Sequence, residues 1–259
     1  MFLSRLTQGI RRQDWIAVLL EIMVVMIGLL TAFQVDRWWE GRLDRITEDS
    51  YLLRLISEIE EDIPKLEYAI SLAEVRMGFG DLLAEVAADP TVAQAQSGLF
   101  LVAVAQAAFT YTPVLVAYTF EDLRSTGNIK LIRNTEIKRA LQEYYGFDQN
   151  QRQFVDLNFM IEFRYFELSA DILSLEQYRF VQERWFVVNR EKLEEVEEAR
   201  PEMGGVIEAA ERLSEDKDLI AWLPKTRGLQ FEQIAIIRMR LENARYLLEN
   251  LKTYRADLK

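Results

Sequence analysis

Cysteine and histidine are both absent from this 259-residue chain. Without cysteine there are no disulfide staples, thiolate metal ligands or cysteine nucleophiles. Without histidine the commonest general base and the commonest transition-metal ligand are missing too. Carboxylate-only chemistry stays open, but the sequence argues against an enzyme, and no cofactor, metal site or catalytic residue is expected. Helix breakers are scarce, with eleven glycines and five prolines, and no glycine-rich phosphate loop occurs. Basic residues are outnumbered, 31 Lys and Arg against 42 Asp and Glu, for a net charge of −11. Binding nucleic acid requires clustered basic residues to neutralise phosphates, so no nucleic-acid partner is expected.

What the chain does have is an apolar run at 15–33 that carries a single charge, Glu21. Nineteen residues at about 1.5 Å each match the ~30 Å hydrocarbon core of a bilayer. Trp15 stands before the run and Trp38 and Trp39 after it, where amphipathic rings favour the headgroup level. The organisation expected is a short cytoplasmic arm at 1–14, a transmembrane helix at 15–35 and a helical extramembrane domain at 36–259. A cleaved signal peptide is the alternative, with 30–32 a poor exit site and Glu21 interrupting the apolar stretch. Arg5, Arg11 and Arg12 precede the run and Arg37, Arg42 and Arg45 follow it, so the positive-inside rule is nearly balanced. The short arm and long trailing domain suit an inner-membrane signal anchor with a cytoplasmic N-terminus and a periplasmic body.

Glu21 lies about 9 Å inside the run and shares a helix face with Val25, Gly28 and Ala32, at offsets of 4, 7 and 11. An ionised acid at mid-membrane costs roughly 2.5 to 3.5 kcal/mol by insertion scales. It must therefore lose its charge, find a partner or reach for the interface. Gly28 and Ala32 form a small-xxx-small pair that lets two helices approach closely. A homo-oligomer is expected through this face, together with the lipid bilayer and an unidentified membrane protein as partners. The alternative is a subunit of a proton- or ion-coupled complex in which Glu21 titrates.

Along the body, Leu52, Ile56, Ile59, Ile63, Leu66, Ile70, Ala73 and Met77 keep a 4-3-4-3 spacing, a coiled-coil-like seam. Pro64 within it predicts a kink or a fresh start near 60–64. Gly41 is the only strong breaker between membrane run and seam, so the membrane helix is expected to continue into the body. A loop is expected at 89–98. The uncharged stretch 99–120 splits at Pro113 into two core-facing helical segments, a second membrane span being the alternative. Gly127 suits a left-handed helix end, and Asn134 or Thr135 the cap of the next helix, which Gly146 bends or divides. Phe147, Phe154, Phe159, Phe163, Tyr165 and Phe166 read as core or partner surface. The acids from Glu191 to Glu198 read as a solvated helix face rather than a calcium loop. A break at 224–228 precedes a last helix with its own seam, Ile234, Ile237, Leu241, Ala244, Leu248 and Leu251. Either the two seams pair antiparallel within the chain or each serves an intermolecular contact. The fold class is all-α: one N-terminal transmembrane helix and an elongated helical bundle.

Two motifs carry a resemblance. The first is Glu21, Gly28, Gln34, Trp38, Glu40 and Arg42; the second is Leu123, Gly127, Leu131, Ile132 and Asn134, with Tyr144 and Tyr145 closing the next helix. In this order they resemble an uncharacterised bacterial family of N-terminally membrane-anchored helical proteins, known as a domain of unknown function. The chain departs from that pattern at Asp36-Arg37-Trp38-Trp39, where Asn-rich residues precede the Trp in the family. The resemblance implies an architecture, with Leu123 to Asn134 as a structural corner, and no activity.

Overall fold

The computed structural model describes residues 15–150, 152–184 and 204–258. Among them the architecture is all-α, without a strand. Helix α1 (Trp15–Ala88) is followed by α2 (Val92–Ala95), α3 (Ser97–Gln106), α4 (Tyr118–Ser125), a 3-10 turn (Asn128–Leu131), α5 (Thr135–Asn150), α6 (Arg152–Ser169), α7 (Leu175–Arg184), α8 (Val206–Glu215) and α9 (Lys217–Asp257). The arginines at 5, 11 and 12, the acidic run 191–198 and Pro201 lie outside the described residues.

Helix α1 is one element of 74 residues that begins in the apolar run and ends at Ala88. It neither stops at Gly41 nor restarts at Pro64. The fresh start expected at 60–64 is absent because Pro64 and Glu60 both face water, where the carbonyl that loses its amide partner can be hydrated. The same reasoning corrects the break expected at 224–228. Helix α9 runs through Pro224 and Gly228, both on its exposed side, while Leu219, Leu223, Thr226, Leu229 and Gln230 are buried and hold it against the body. Asp216 caps its start by accepting from the Leu219 N–H at 2.9 Å.

The body is organised around α1 and α9, which lie antiparallel. Every position of both seams is buried or half-buried, so the intramolecular pairing is the one the chain adopts. Ion pairs set its register: Arg238–Glu74 at 3.9 Å, Arg245–Glu67 at 2.6 Å and Lys252–Glu60 at 2.6 Å. Acids and bases recur every seven residues in opposite directions, so a single register satisfies all three. Arg227–Asp81 and Arg255–Asp49 extend the series at either end. Exposed pairs of this kind stabilise by only about 0–1 kcal/mol each; their contribution is to disfavour other registers.

Two cores sit along this pair. The one nearer the apolar run joins Leu52, Leu55, Ile59 and Leu66 of α1 to Leu123, Ile132, Leu141 and Tyr144 and to Leu241, Ala244 and Leu251 of α9. The farther one encloses α3, where Phe100 to Ala105 are all buried, among Phe79 and Leu83, Tyr165, Val181 and Leu213. The first half of 99–120 is thus core. The second half is not helical until Tyr118, a correction to the expected pair of helical segments. Short helices also interrupt the loop expected at 89–98.

The corner expected at 123–134 forms. Thr126 ends α4 and Gly127 follows with φ +72°. Asn134 caps α5 through its Oδ1, which accepts from the amides of Glu136 at 2.9 Å and Ile137 at 3.2 Å. Leu123 and Ile132 are fully buried, and Leu131 packs at the edge of the same core. Helix α5 passes Gly146 and ends at Asn150. Of the aromatic series, Tyr165 is buried, Phe147 nearly so, and Phe166 packs against the far core. Phe159 and Phe163 instead stack on each other at 6.2 Å on the outside; the side chain of Phe154 is outside the description.

Two glycines give opposite expectations. A Cβ on Gly127 or on Gly78 would meet nothing within 4 Å, so backbone conformation alone decides. Gly127→Ala should destabilise by about 1 kcal/mol, since an L residue resists positive φ, with Gly127→Asn milder. Gly78→Ala, in the interior of α1 near its C-terminal end, should stabilise by roughly 0.5–1 kcal/mol. Denaturant titration of the detergent-solubilised chain reads both signs.

Candidate functional site

The apolar part of α1 has no partner among the described residues: its most apolar 18-residue stretch is entirely unburied. This helix is long and apolar enough to cross a membrane. Glu21, Val25, Gly28 and Ala32 are all exposed and share one helix face. Trp15, Trp38 and Trp39 are exposed too, with the Trp38 and Trp39 rings 6.5 Å apart.

How the apolar segment is joined to the body follows from a stripe that sequence reading passed over. Counting by sevens from Glu48 along α1 gives Leu55, Asp62, Ala69, Arg76 and Leu83, and all six side chains are buried. Charged residues alternate with apolar ones. A buried charge is costly unless hydrogen-bonded, and here each charged position receives a part of the chain that has no helix of its own to satisfy it.

Glu48 is fully buried. Its Oε1 accepts the Arg133 backbone N–H at 3.0 Å and the Tyr254 hydroxyl at 2.6 Å, joining the corner before α5 and the last turns of α9 to one point on α1. Burial, and then its hydrogen bond to Glu48, push the Tyr254 phenol above its ordinary pKa, so it keeps the proton it donates. At the next residue, Asp49 accepts from Arg255 at 2.7 Å and 3.3 Å, a bidentate pair.

Asp62 is likewise fully buried. It accepts from the Val116 N–H at 3.0 Å, the Tyr144 hydroxyl at 3.1 Å and Lys65 Nζ at 3.3 Å. Four residues earlier, Glu58 accepts from the Thr119 N–H at 3.0 Å and its hydroxyl at 2.6 Å. Ala117, at the start of α4, offers no side-chain cap. Glu58 supplies one from another helix, and its charge favours that helix's N-terminus. Within the non-helical part of 99–120, Asp62 of α1 thus holds the Val116 amide, and Glu58 holds the start of the helix that follows.

Arg76 is the third charged position. Its guanidinium lies 5.2 Å from the Phe109 ring centre, and burial pushes it down to about 10, with Glu162 partly opposing. Burial also raises the Glu162 carboxyl, against the Thr110 hydroxyl that donates to it at 3.0 Å. Farther along, Gln230 of α9 donates to the carbonyls of Ala107 and Phe109 at 3.0 Å and 2.9 Å, and Tyr165 to that of Val104 at 2.8 Å, satisfying the C-terminal end of α3.

Chemically, these carboxylates act as acceptors for the chain's own donors, although Glu48 Oε2 is buried without a hydrogen-bond partner. Among the described residues no group of three acids is arranged to hold a metal ion. What the arrangement does mechanically is clamp the base of α1 to both the corner and the end of α9, so that the membrane-length segment and the body are coupled through one helix. No family model, curated protein or solved structure matches the chain.

Glu48→Ala should cost about 2–4 kcal/mol, because it strands the Arg133 amide and the Tyr254 hydroxyl. Tyr254→Phe alone should cost about 1 kcal/mol, and the double variant less than the sum, since both changes remove one interaction. Strict additivity in a double-mutant cycle would show that the two side chains do not share that bond.

Proposed function

We propose that the chain is a bitopic, non-catalytic protein of a bacterial inner membrane, anchored by the 15–35 segment of α1 with its N-terminus in the cytoplasm and its body in the periplasm. It self-associates through the membrane helix and carries its body as a scaffold, sensor or accessory subunit. The unpartnered apolar segment of a helix that continues into the body carries this reading. A tether alone needs no acid in its apolar part and no small-residue face; Glu21, Gly28 and Ala32 supply both. Two copies packed on that face could bury the carboxyl against its counterpart. The resemblance to anchored bacterial proteins agrees with this architecture, and the absence of histidine and cysteine with the lack of catalysis.

Glu21 also favours a second reading, a subunit of a proton- or ion-coupled membrane complex. Because the chain has no native cysteine, single-cysteine crosslinking in membranes can test the first reading cleanly. Cysteine at Val25, Gly28 or Ala32 should form dimers on oxidation, and cysteine at Leu30, on the opposite face, should not. Equal crosslinking all round would overturn the proposed contact. Glu21→Gln separates the two readings: it should keep both dimer and function in a scaffold, and keep the dimer but lose function in a proton-coupled device.

A further inference from the structure

Just beyond the apolar segment, Arg37, Trp38, Gly41, Arg42 and Arg45 of α1 line a hollow of about 270 Å³ with Arg133 from the corner before α5. We infer that this hollow binds the phosphate-bearing headgroup of an anionic glycerophospholipid, an inference that rests on α1 being the membrane anchor.

Four observations converge on that ligand. The first is charge. Four arginines line one space, and among the described residues none of them forms an ion pair with a carboxylate within 4.0 Å. Of the neighbouring acids, Asp36 falls on the other side of the helix wheel, Glu40 and Asp44 flank the Arg37 edge without an ion pair to any of the four, and Asp49 is taken by Arg255. Like charges gathered without counter-charge repel one another, and a bound anion relieves this; guanidinium forks match phosphate oxygens in geometry.

The second is depth. Arg37 lies two residues and Arg45 ten residues past Val35, about 3 to 15 Å along the axis, where headgroups lie just outside a ~30 Å hydrocarbon core. Helical side chains lean toward the N-terminus, which on α1 means toward the bilayer. The third is shape. Gly41 sits among these arginines, and a Cβ there would meet nothing within 4 Å, so the hollow is open where a side chain would fill it. Trp38 forms its wall with Arg42 5.9 Å from the ring centre, an aromatic placed at interfacial level.

The fourth is that the hollow is assembled by folding. Arg133 is far from Arg37 in sequence, and it arrives because its backbone amide is bound by the buried Glu48. A headgroup held here would bridge the anchor to the body and fix the body's height above the bilayer. In an overall acidic protein, this patch gives an anionic headgroup a local point of attachment.

The test uses the full chain in neutral detergent, with native mass spectrometry as readout and three probes: dioleoylphosphatidylglycerol, dioleoylphosphatidylcholine and inorganic phosphate. Phosphatidylglycerol should be retained at a concentration at least tenfold lower than phosphatidylcholine. Arg133→Gln, which changes an exposed side chain, and Gly41→Leu, which fills the hollow, should each abolish that preference while circular dichroism stays unchanged. Equal retention of the two lipids, or a preference that survives both variants, overturns the inference. Retention of inorganic phosphate without a lipid preference overturns the lipid as its source. Carbonate extraction of membranes tests the anchor separately: wild type and both variants should stay in the pellet, and release of the wild type would overturn the anchoring itself.

Discussion

Burying charge on the spine helix is the constraint from which the rest of this structure follows. Glu48, Asp62 and Arg76 stand fourteen residues apart on α1 and are nearly or wholly inaccessible. A buried carboxylate without donors would cost several kcal/mol, so the donors must come to it, from the non-helical Val116 and Arg133 and from the faces of α5 and α9. The Val116 and Arg133 amides, and the hydroxyls of Tyr144 and Tyr254, all converge on α1. Apolar packing alone would let α4 and α5 settle at several heights along a uniform helix. The acids select one.

The legible parts of the fold were those where period and chemistry coincide. Leu52 to Met77 and Ile234 to Leu251 showed their seams because every member is apolar, and the continuity of α1 followed from Gly41 being the one strong breaker at 36–50. Gly127 and Asn134 were legible because a left-handed helix end and a cap each demand particular residues. The second stripe of α1 was hidden because half its members are charged, although the seven-residue spacing of Glu48, Leu55, Asp62, Ala69, Arg76 and Leu83 was there to be counted. Pro64 and Pro224 misled for a single reason. Local propensity marks a proline as a break, but each lies on the solvent side of a helix whose opposite side is locked in a core.

Of the candidate site, the face Glu21, Val25, Gly28 and Ala32 followed from helical geometry alone. The clamp at Glu48 did not, since no spacing rule links Glu48 to Arg133 or Tyr254 across most of the chain. Neither did the arginine hollow: Arg37, Arg42 and Arg45 entered as topology signals, and Arg133 joins them only through the fold. The apolar segment and the body are thus two ends of one mechanical element. A rotation or shift of the apolar segment would reach Glu48, and through it both the corner and the end of α9, without a hinge to absorb it.

That continuity is open to direct measurement. Spin labels on cysteines placed at Leu29 in the apolar segment and Leu53 in the body, both exposed positions, are separated by twenty-four residues, or about 36 Å of unbroken helix. Pulsed dipolar spectroscopy in lipid nanodiscs, with the labelled chain diluted by the unlabelled one, should give a single narrow distribution near that distance. A broad distribution, or one centred well below it, would place a hinge between membrane and body and contradict the account.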